Sequence, residues 1–305
     1  MSTAHTAARA TVEGFAALLL WSSLASLTAL AAPMPPFQLA AITFAIGTLV
    51  GLAYARMSGQ PLIGLTAIPV GALALGVYGL LGYHACYFYA LQQAPPLEAN
   101  LVNYLWPLLI VVFSGLLPAR AGGKPLRWRH VAGALLGFGG TLLVLTEGGG
   151  ELSFEGAGAG YAAALAGALI WSSYSVASRL FHAVPSTAVT ASCGATALGA
   201  LVLHLLSETT VPPKDLMASG AVLAMGLGPV GLAFYLWDRG MKRGELRLLG
   251  VASYATPLFS TALLALLGLG TAGPMLWLAA LLVTAGALIA ALDSLVPAHA
   301  SGTAR

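Results

Sequence analysis

Charge is what this sequence has least of. Asp, Glu, Lys and Arg together supply 8% of its 305 residues, whereas a soluble domain carries about 25%, so a water-facing surface cannot be built from it. There is also no room for a separate soluble domain, because a membrane helix takes roughly 20 apolar residues and about ten such spans with short loops use up the whole chain. Cysteine is nearly absent: Cys86 and Cys193 both lie in apolar segments, where free buried thiols are expected. Ser192, Cys193 and His84 are residue types of nucleophiles and bases, but no catalytic motif or acidic metal cluster accompanies them. An intramembrane enzyme, a cofactor and a metal site are therefore not expected.

Apolar residues, by contrast, make up 58% of the chain. Runs between Gly, Pro and charged punctuation predict spans at 14–32, 37–55, 69–91, 96–117 and 128–146, then at 158–180, 186–206, 216–237, 246–268 and 273–295. Arg9, the apolar run from Gly14 and Ala29-Leu30-Ala31 imitate a cleavable signal peptide. The same kind of run recurs around Trp171, so the segment is taken as the first span. The net charge of +3 reports topology rather than a nucleic-acid partner. With a cytoplasmic N-terminus, the inner segments hold Arg9, Arg56, Arg120, Lys124, Arg127, Arg129, Arg179, Arg239, Lys242, Arg243, Arg247 and Arg305, leaving Lys214 outside. The connection between the fifth and sixth spans carries Glu147, Glu151 and Glu155 and no basic residue. Both termini are thus expected inside.

A repeat is visible at an offset of 150: Trp21-Ser22-Ser23 with Trp171-Ser172-Ser173, Gly76 with Gly226, Tyr104 with Tyr254, and Pro107 with Pro257. Five spans per half is an odd number, so equivalent spans cross the bilayer in opposite directions. Loop charge agrees, because the uncharged turn at Gln92, Gln93, Pro95 and Pro96 corresponds to one holding Arg239, Lys242, Arg243 and Arg247. The expected architecture is an all-α integral membrane protein of ten transmembrane helices in two inverted five-helix repeats. These cover 1–146 and 156–296 and are followed by a short cytoplasmic tail at 297–305. Inverted repeats are common among secondary transporters.

Polar and aromatic groups at the bilayer midplane are the candidates for function. The midpoint of the fourth span falls between Trp106 and Pro107, with Tyr104, Asn103 and Asn100 successively farther out. Pro257 marks the midpoint of the ninth span, with Tyr254 one turn away, and Trp21 and Trp171 sit near the midpoints of the first and sixth. Tyr83 and Tyr87 share a face of the third span with His84 beside them, and Tyr174 follows Trp171. Midplane placement counts against an interfacial aromatic belt, while helix packing stays the competing explanation for any one residue. Together these side chains offer π-faces and hydrogen bonds to a small molecule carrying a ring. Pro107 and Pro257 are candidate hinges, since each removes a helical hydrogen bond. Gly133 and Gly137 fit close helix packing or a dimer contact, leaving monomer and homodimer open. Glu13, Glu98, Arg179, Asp238 and Asp293 are read as solvated groups near helix ends. A phosphate-bearing substrate lacks the mid-helix Arg or Lys it would need.

The paired tryptophan motifs, the connection between the third and fourth spans, and mid-helix Pro107 and Pro257 resemble the drug/metabolite transporter superfamily, specifically its ten-helix EamA-type exporters, over essentially the whole chain. Val102-Asn103-Tyr104-Leu105-Trp106-Pro107, with Ser253-Tyr254-Ala255-Thr256-Pro257, is similar more narrowly to the bacterial aromatic amino acid exporters of that superfamily. The resemblance implies alternating-access export from cytoplasm to periplasm across a bacterial inner membrane. It implies a cavity lined by the first, third, fourth, sixth, eighth and ninth spans, and aromatic or other apolar amino acids as cargo; broader drug or metabolite export is the alternative. A passive channel is a further reading, which paired kinks and pseudo-twofold symmetry disfavour. Small four-helix relatives couple to protons through a membrane glutamate. Here Glu13 lies at the start of the first span, so facilitated or weakly proton-linked transport is expected.

Overall fold

The computed structural model describes residues 3–57, 67–121, 123, 125–146, 157–269 and 273–295. Lys124, the acidic connection 147–156 and the tail 297–305 lie outside them. Every long regular element among the described residues is helical, and no strand occurs. In order they are α1 (Thr3–Ser22), α2 (Leu24–Ala31), α3 (Pro36–Met57), α4 (Val70–Val77), α5 (Tyr83–Gln93), α6 (Pro96–Asn103), α7 (Trp106–Ser114) and α8 (Trp128–Thr146). There follow α9 (Gly158–Ala177), α10 (Val189–Ser207), α11 (Leu216–Leu227), α12 (Ala233–Arg243), α13 (Leu246–Ala252), α14 (Ala255–Leu266) and α15 (Met275–Leu295).

Several of these are halves of one rod. Six helices among the described residues are long and apolar enough to cross a bilayer: His5–Ala31, Pro36–Met57, Val70–Gln93, Ser186–Ser207, Leu216–Arg243 and Leu246–Leu266. Glu98–Ser114 and Met275–Ala290 are shorter apolar helices.

Where the rods are interrupted, the cause is local. Pro107 has no N–H to give the carbonyl of Asn103, and its ring pushes that turn open, so α6 ends at Asn103 and α7 starts at Trp106. Pro257 does the same to Ser253, separating α13 from α14. The backbone N–H of Leu108, just past the first break, donates to Tyr254 Oη at 3.1 Å. One broken helix is thus tied to the other. Tyr254→Phe should therefore leave a buried donor unsatisfied and cost about 1–3 kcal/mol, seen as a lower melting temperature in detergent.

Two π turns interrupt the remaining pair, at Tyr78–Gly82 between α4 and α5 and at Gly228–Leu232 between α11 and α12. They lie 150 residues apart, like the proline breaks. Helix pairing follows the same offset. The most extensive packing is α8 on α15, α3 on α10, α1 on α12 and α5 on α9. Shifting residue numbers by 150 maps the first two pairs onto themselves and exchanges the last two.

At the α8–α15 crossing the backbones touch. A Cβ on Gly133 would stand 2.5 Å from the Gly286 carbonyl oxygen, and one on Gly137 would stand 2.4 Å from the Tyr254 ring. These glycines serve packing inside the chain, which removes the sequence ground for a dimer contact through them. The start of α3 is held by Glu208, whose two carboxylate oxygens accept from Phe37 N and Gln38 N at 3.0 Å each. That caps the start of α3.

Candidate functional site

The rods converge on a cluster of rings. Trp21 of α1 and Trp171 of α9 meet edge to face with centroids 5.5 Å apart. Trp237 of α12 lies 5.0 Å from Trp21 and stacks on Trp171 at 6.3 Å. Trp106, at the first turn of α7, stands edge-on to both Trp171 and Trp237, at 6.4 and 6.1 Å. Phe234 closes the group from α12, 5.7 Å from Trp21 and stacked on Phe44 of α3. Offset and edge-to-face pairs of this kind are each worth about 0.5–1.5 kcal/mol beyond their burial.

The tryptophans are also oriented by hydrogen bonds. Trp21 Nε1 donates to the Pro229 carbonyl in the second π turn at 2.9 Å. Trp237 Nε1 donates to Ser175 Oγ at 3.1 Å. The indole N–H groups of Trp106 and Trp171 have no hydrogen-bond partner among the described residues, so two donors in the centre of the cluster are uncommitted.

A polar shelf adjoins these rings. Tyr83 and Tyr87 stack with centroids 5.7 Å apart and an interplanar angle of 5°, and Tyr83 lies 5.4 Å from Trp171. Tyr87 Oη donates to Asn100 Oδ1, whose Nδ2 is fixed by the Pro96 carbonyl at 2.8 Å. Asn103 Nδ2 donates to Tyr83 Oη at 3.2 Å. Asn103 Oδ1, in a residue only 3% exposed, accepts from no described residue. A buried acceptor left open in this way is costly unless a ligand or water meets it. Tyr104 sits at the break itself, half-buried, with a hydroxyl that no described residue bonds. Tyr83, His84, Tyr87, Asn100 and Tyr104 are all half-buried, whereas Trp106, Trp171 and Tyr174 are buried.

His84 is held by its own helix, with Nδ1 2.7 Å from the Leu80 carbonyl. A carbonyl only accepts, so Nδ1 carries the proton. The ring is edge-on to Phe44 at 5.0 Å, and neither Ser192 nor Cys193 bonds it. Tyr174 extends the cluster beyond Trp171, 5.4 Å away.

Thus Trp21, Tyr83, His84, Trp106, Trp171 and Tyr174 come together, and Tyr87, Asn100, Asn103 and Tyr104 adjoin them. Tyr254 does not. It is fully buried, packs against Phe138 of α8 at 6.2 Å, and spends its hydroxyl on Leu108. The sequence reading missed Phe44, Phe234 and Trp237. The offset of 150 could have found the last two, which fall opposite His84 and Tyr87.

Asp238 and Glu98 are 4% and 3% exposed, so neither is the solvated helix-end group expected. Helix α12 runs on to Arg243, longer than the predicted span, and this places Lys242 one turn from Asp238 with 2.9 Å between them. Glu13 is met by Arg9 and Arg239, the latter at 3.0 Å, and Glu245 N donates to Thr11 Oγ1 at 2.9 Å. These contacts fasten the start of α1 to the α12–α13 turn.

An all-helical bundle with membrane-spanning helices, an aromatic centre and paired broken helices fits the small-molecule transporter class. The sequence profile of the EamA-like transporter family matches residues 11–146 and again 158–292, and the chain belongs to that family. The aromatic amino acid exporter YddG of Ancylobacter novellus is 49% identical over 286 residues, spanning 93% of this chain and 97% of that protein. The aromatic amino acid exporter YddG of Escherichia coli K12 is 29% identical over 295 residues, 92% of this chain and 96% of that protein. A solved crystal structure of a protein 47% identical in sequence superposes with a TM-score of 0.87, covering 94% of this chain and 99% of that one.

Proposed function

We propose that this chain exports aromatic amino acids by alternating access, with the ring cluster and its polar shelf as the binding site. The observation that carries the reading is the contact between Trp21 and Trp171, residues 150 apart in sequence that meet where the rods converge. The shelf beside them, Tyr83, Tyr87, Asn100, Asn103 and Tyr104, offers an unsatisfied buried acceptor in Asn103 Oδ1 and a free hydroxyl in Tyr104. The rings suit an aromatic side chain; the polar atoms suit its headgroup. Relatives that are named aromatic amino acid exporters over nearly their whole length support the same cargo.

Ten spans in two inverted five-helix halves account best for the order of elements. The π turns, proline breaks and helix pairings recur at one offset, and the family profile matches twice. With both termini cytoplasmic in an inner membrane, the half-buried shelf lies toward the periplasm. The Glu13–Arg239 pair and the Thr11–Glu245 bond then close the cytoplasmic end. Pro107 and Pro257 are the hinges about which the two faces exchange.

Reconstituted vesicles test the site. Tyr104→Ala removes a half-buried ring whose hydroxyl bonds no described residue, so it should lower L-phenylalanine flux about tenfold or more with little change in melting temperature. Flux equal to that of the unaltered protein would place the binding site elsewhere.

A further inference from the structure

A second polar site lies below the ring cluster. A cavity of ≈ 30 Å³ is lined by Tyr174, Ser178, Ser192, Asp238 and Lys242, with Ile68 and Leu75 forming its apolar wall. The ion pair at its edge is almost withdrawn from solvent, Asp238 at 4% and Lys242 at 8% exposure. Asp238 Oδ2 lies 2.9 Å from Lys242 Nζ in an ion pair and accepts from Ser186 Oγ at 2.6 Å, and Lys242 Nζ donates to the Val184 carbonyl at 3.1 Å. Asp238 Oδ1 accepts no hydrogen bond from any described residue, and one of the three ammonium protons of Lys242 is likewise uncommitted. A buried anion and a buried cation thus each keep one hydrogen-bonding position unused beside a partly open cavity.

The other half of the chain does without such a pair at the corresponding positions. At the offset of 150, Asp238, Lys242 and Ser186 correspond to Phe88, Gln92 and Pro36. The equivalent place is held by an aromatic contact, Phe37 against Phe88 at 5.5 Å. Buried ion pairs are also no more stabilising than apolar residues of the same volume, because desolvation offsets their attraction. The central cluster, meanwhile, offers a zwitterion no full counter-charge, and Tyr174 joins the two places, lining the cavity while touching Trp171.

We propose that this cavity is an entry site for the zwitterionic headgroup of an amino acid, where Asp238 takes the ammonium and Lys242 the carboxylate before the ring moves up past Tyr174 to the tryptophans. The inference rests on the export reading above. Exchange of one ion pair for two spares the charges a bare crossing of the apolar interior. The cavity has room for a water or two, so admission goes with the wall of residues 68–76 moving away from α9 and α10.

The test is L-phenylalanine counterflow in proteoliposomes with two double variants, D238N/K242Q and D238L/K242M, each paired with a melting curve in detergent. The second variant is chosen because apolar replacement of a buried pair preserves folding. KM should rise about tenfold or more in both, at a preserved maximal rate and melting temperature. An unchanged KM, a fall in maximal rate alone, or a loss that tracks a lower melting temperature in both variants would overturn the proposal by making the pair a latch or a brace. If the unaltered protein shows no counterflow, the export reading fails first and takes this one with it.

Discussion

Trp171→Ala should lower stability by about 3 kcal/mol and abolish counterflow. Trp171 is 4% exposed and its ring meets those of Trp21, Tyr83, Trp106, Tyr174, Phe234 and Trp237. No other described residue makes so many of the ring contacts in the cluster. Truncation of a buried tryptophan in a soluble core costs about 3–5 kcal/mol, part transfer and part cavity. Within a bilayer the transfer part shrinks, since lipid tails are as apolar as the protein interior, and packing loss remains; the lower end of the range is therefore expected. Trp171→Phe should keep most of the stability and lose flux, because a smaller ring without an N–H fills less of the site. Melting curves in detergent and counterflow on the same preparations separate the two effects.

Asp238→Leu alone should be worse than Asp238→Leu combined with Lys242→Met. The single variant strands the Lys242 ammonium in a buried place with only the Val184 carbonyl as its partner, and breaking one side of a buried pair costs about 3–5 kcal/mol. The double variant removes both charges and should melt within about 1 kcal/mol of the unaltered protein. A double variant less stable than Asp238→Leu by the full cost of Lys242→Met alone would mean the two residues act independently.

Much of the rod pattern was readable, because apolar runs and punctuation are one-dimensional signals. The proline breaks lie where Pro107 and Pro257 direct them, three to four residues upstream. The π turns were not readable: a one-residue widening of a helix leaves no gap in hydropathy, although Pro229 inside the second is a local cue. Within the site, identical pairs gave Trp21 and Trp171, and their contact is direct. Restricting the comparison to identical residues hid Trp237 and Phe234, which are aromatic where Tyr87 and His84 are aromatic. It also drew Tyr254 toward the centre on the strength of matching Tyr104. A break in a helix turns a side chain by an amount that sequence spacing does not report, and Tyr254 faces α8 and α15 instead. The sequence puts Asp238 at a helix end and Lys242 in an inner connection because length alone does not say how far a helix such as α12 continues inside the bundle.

The central claim is that the two halves form one carrier for aromatic amino acids. Counterflow tests it most directly: purified protein in liposomes preloaded with unlabelled L-phenylalanine, L-tryptophan, L-alanine or buffer, then given labelled L-phenylalanine outside. The account predicts transient accumulation above equilibrium, saturable, in vesicles loaded with either aromatic amino acid, with little in those loaded with alanine or buffer. Uptake that ignores the internal load and does not saturate would make the chain a channel and contradict it.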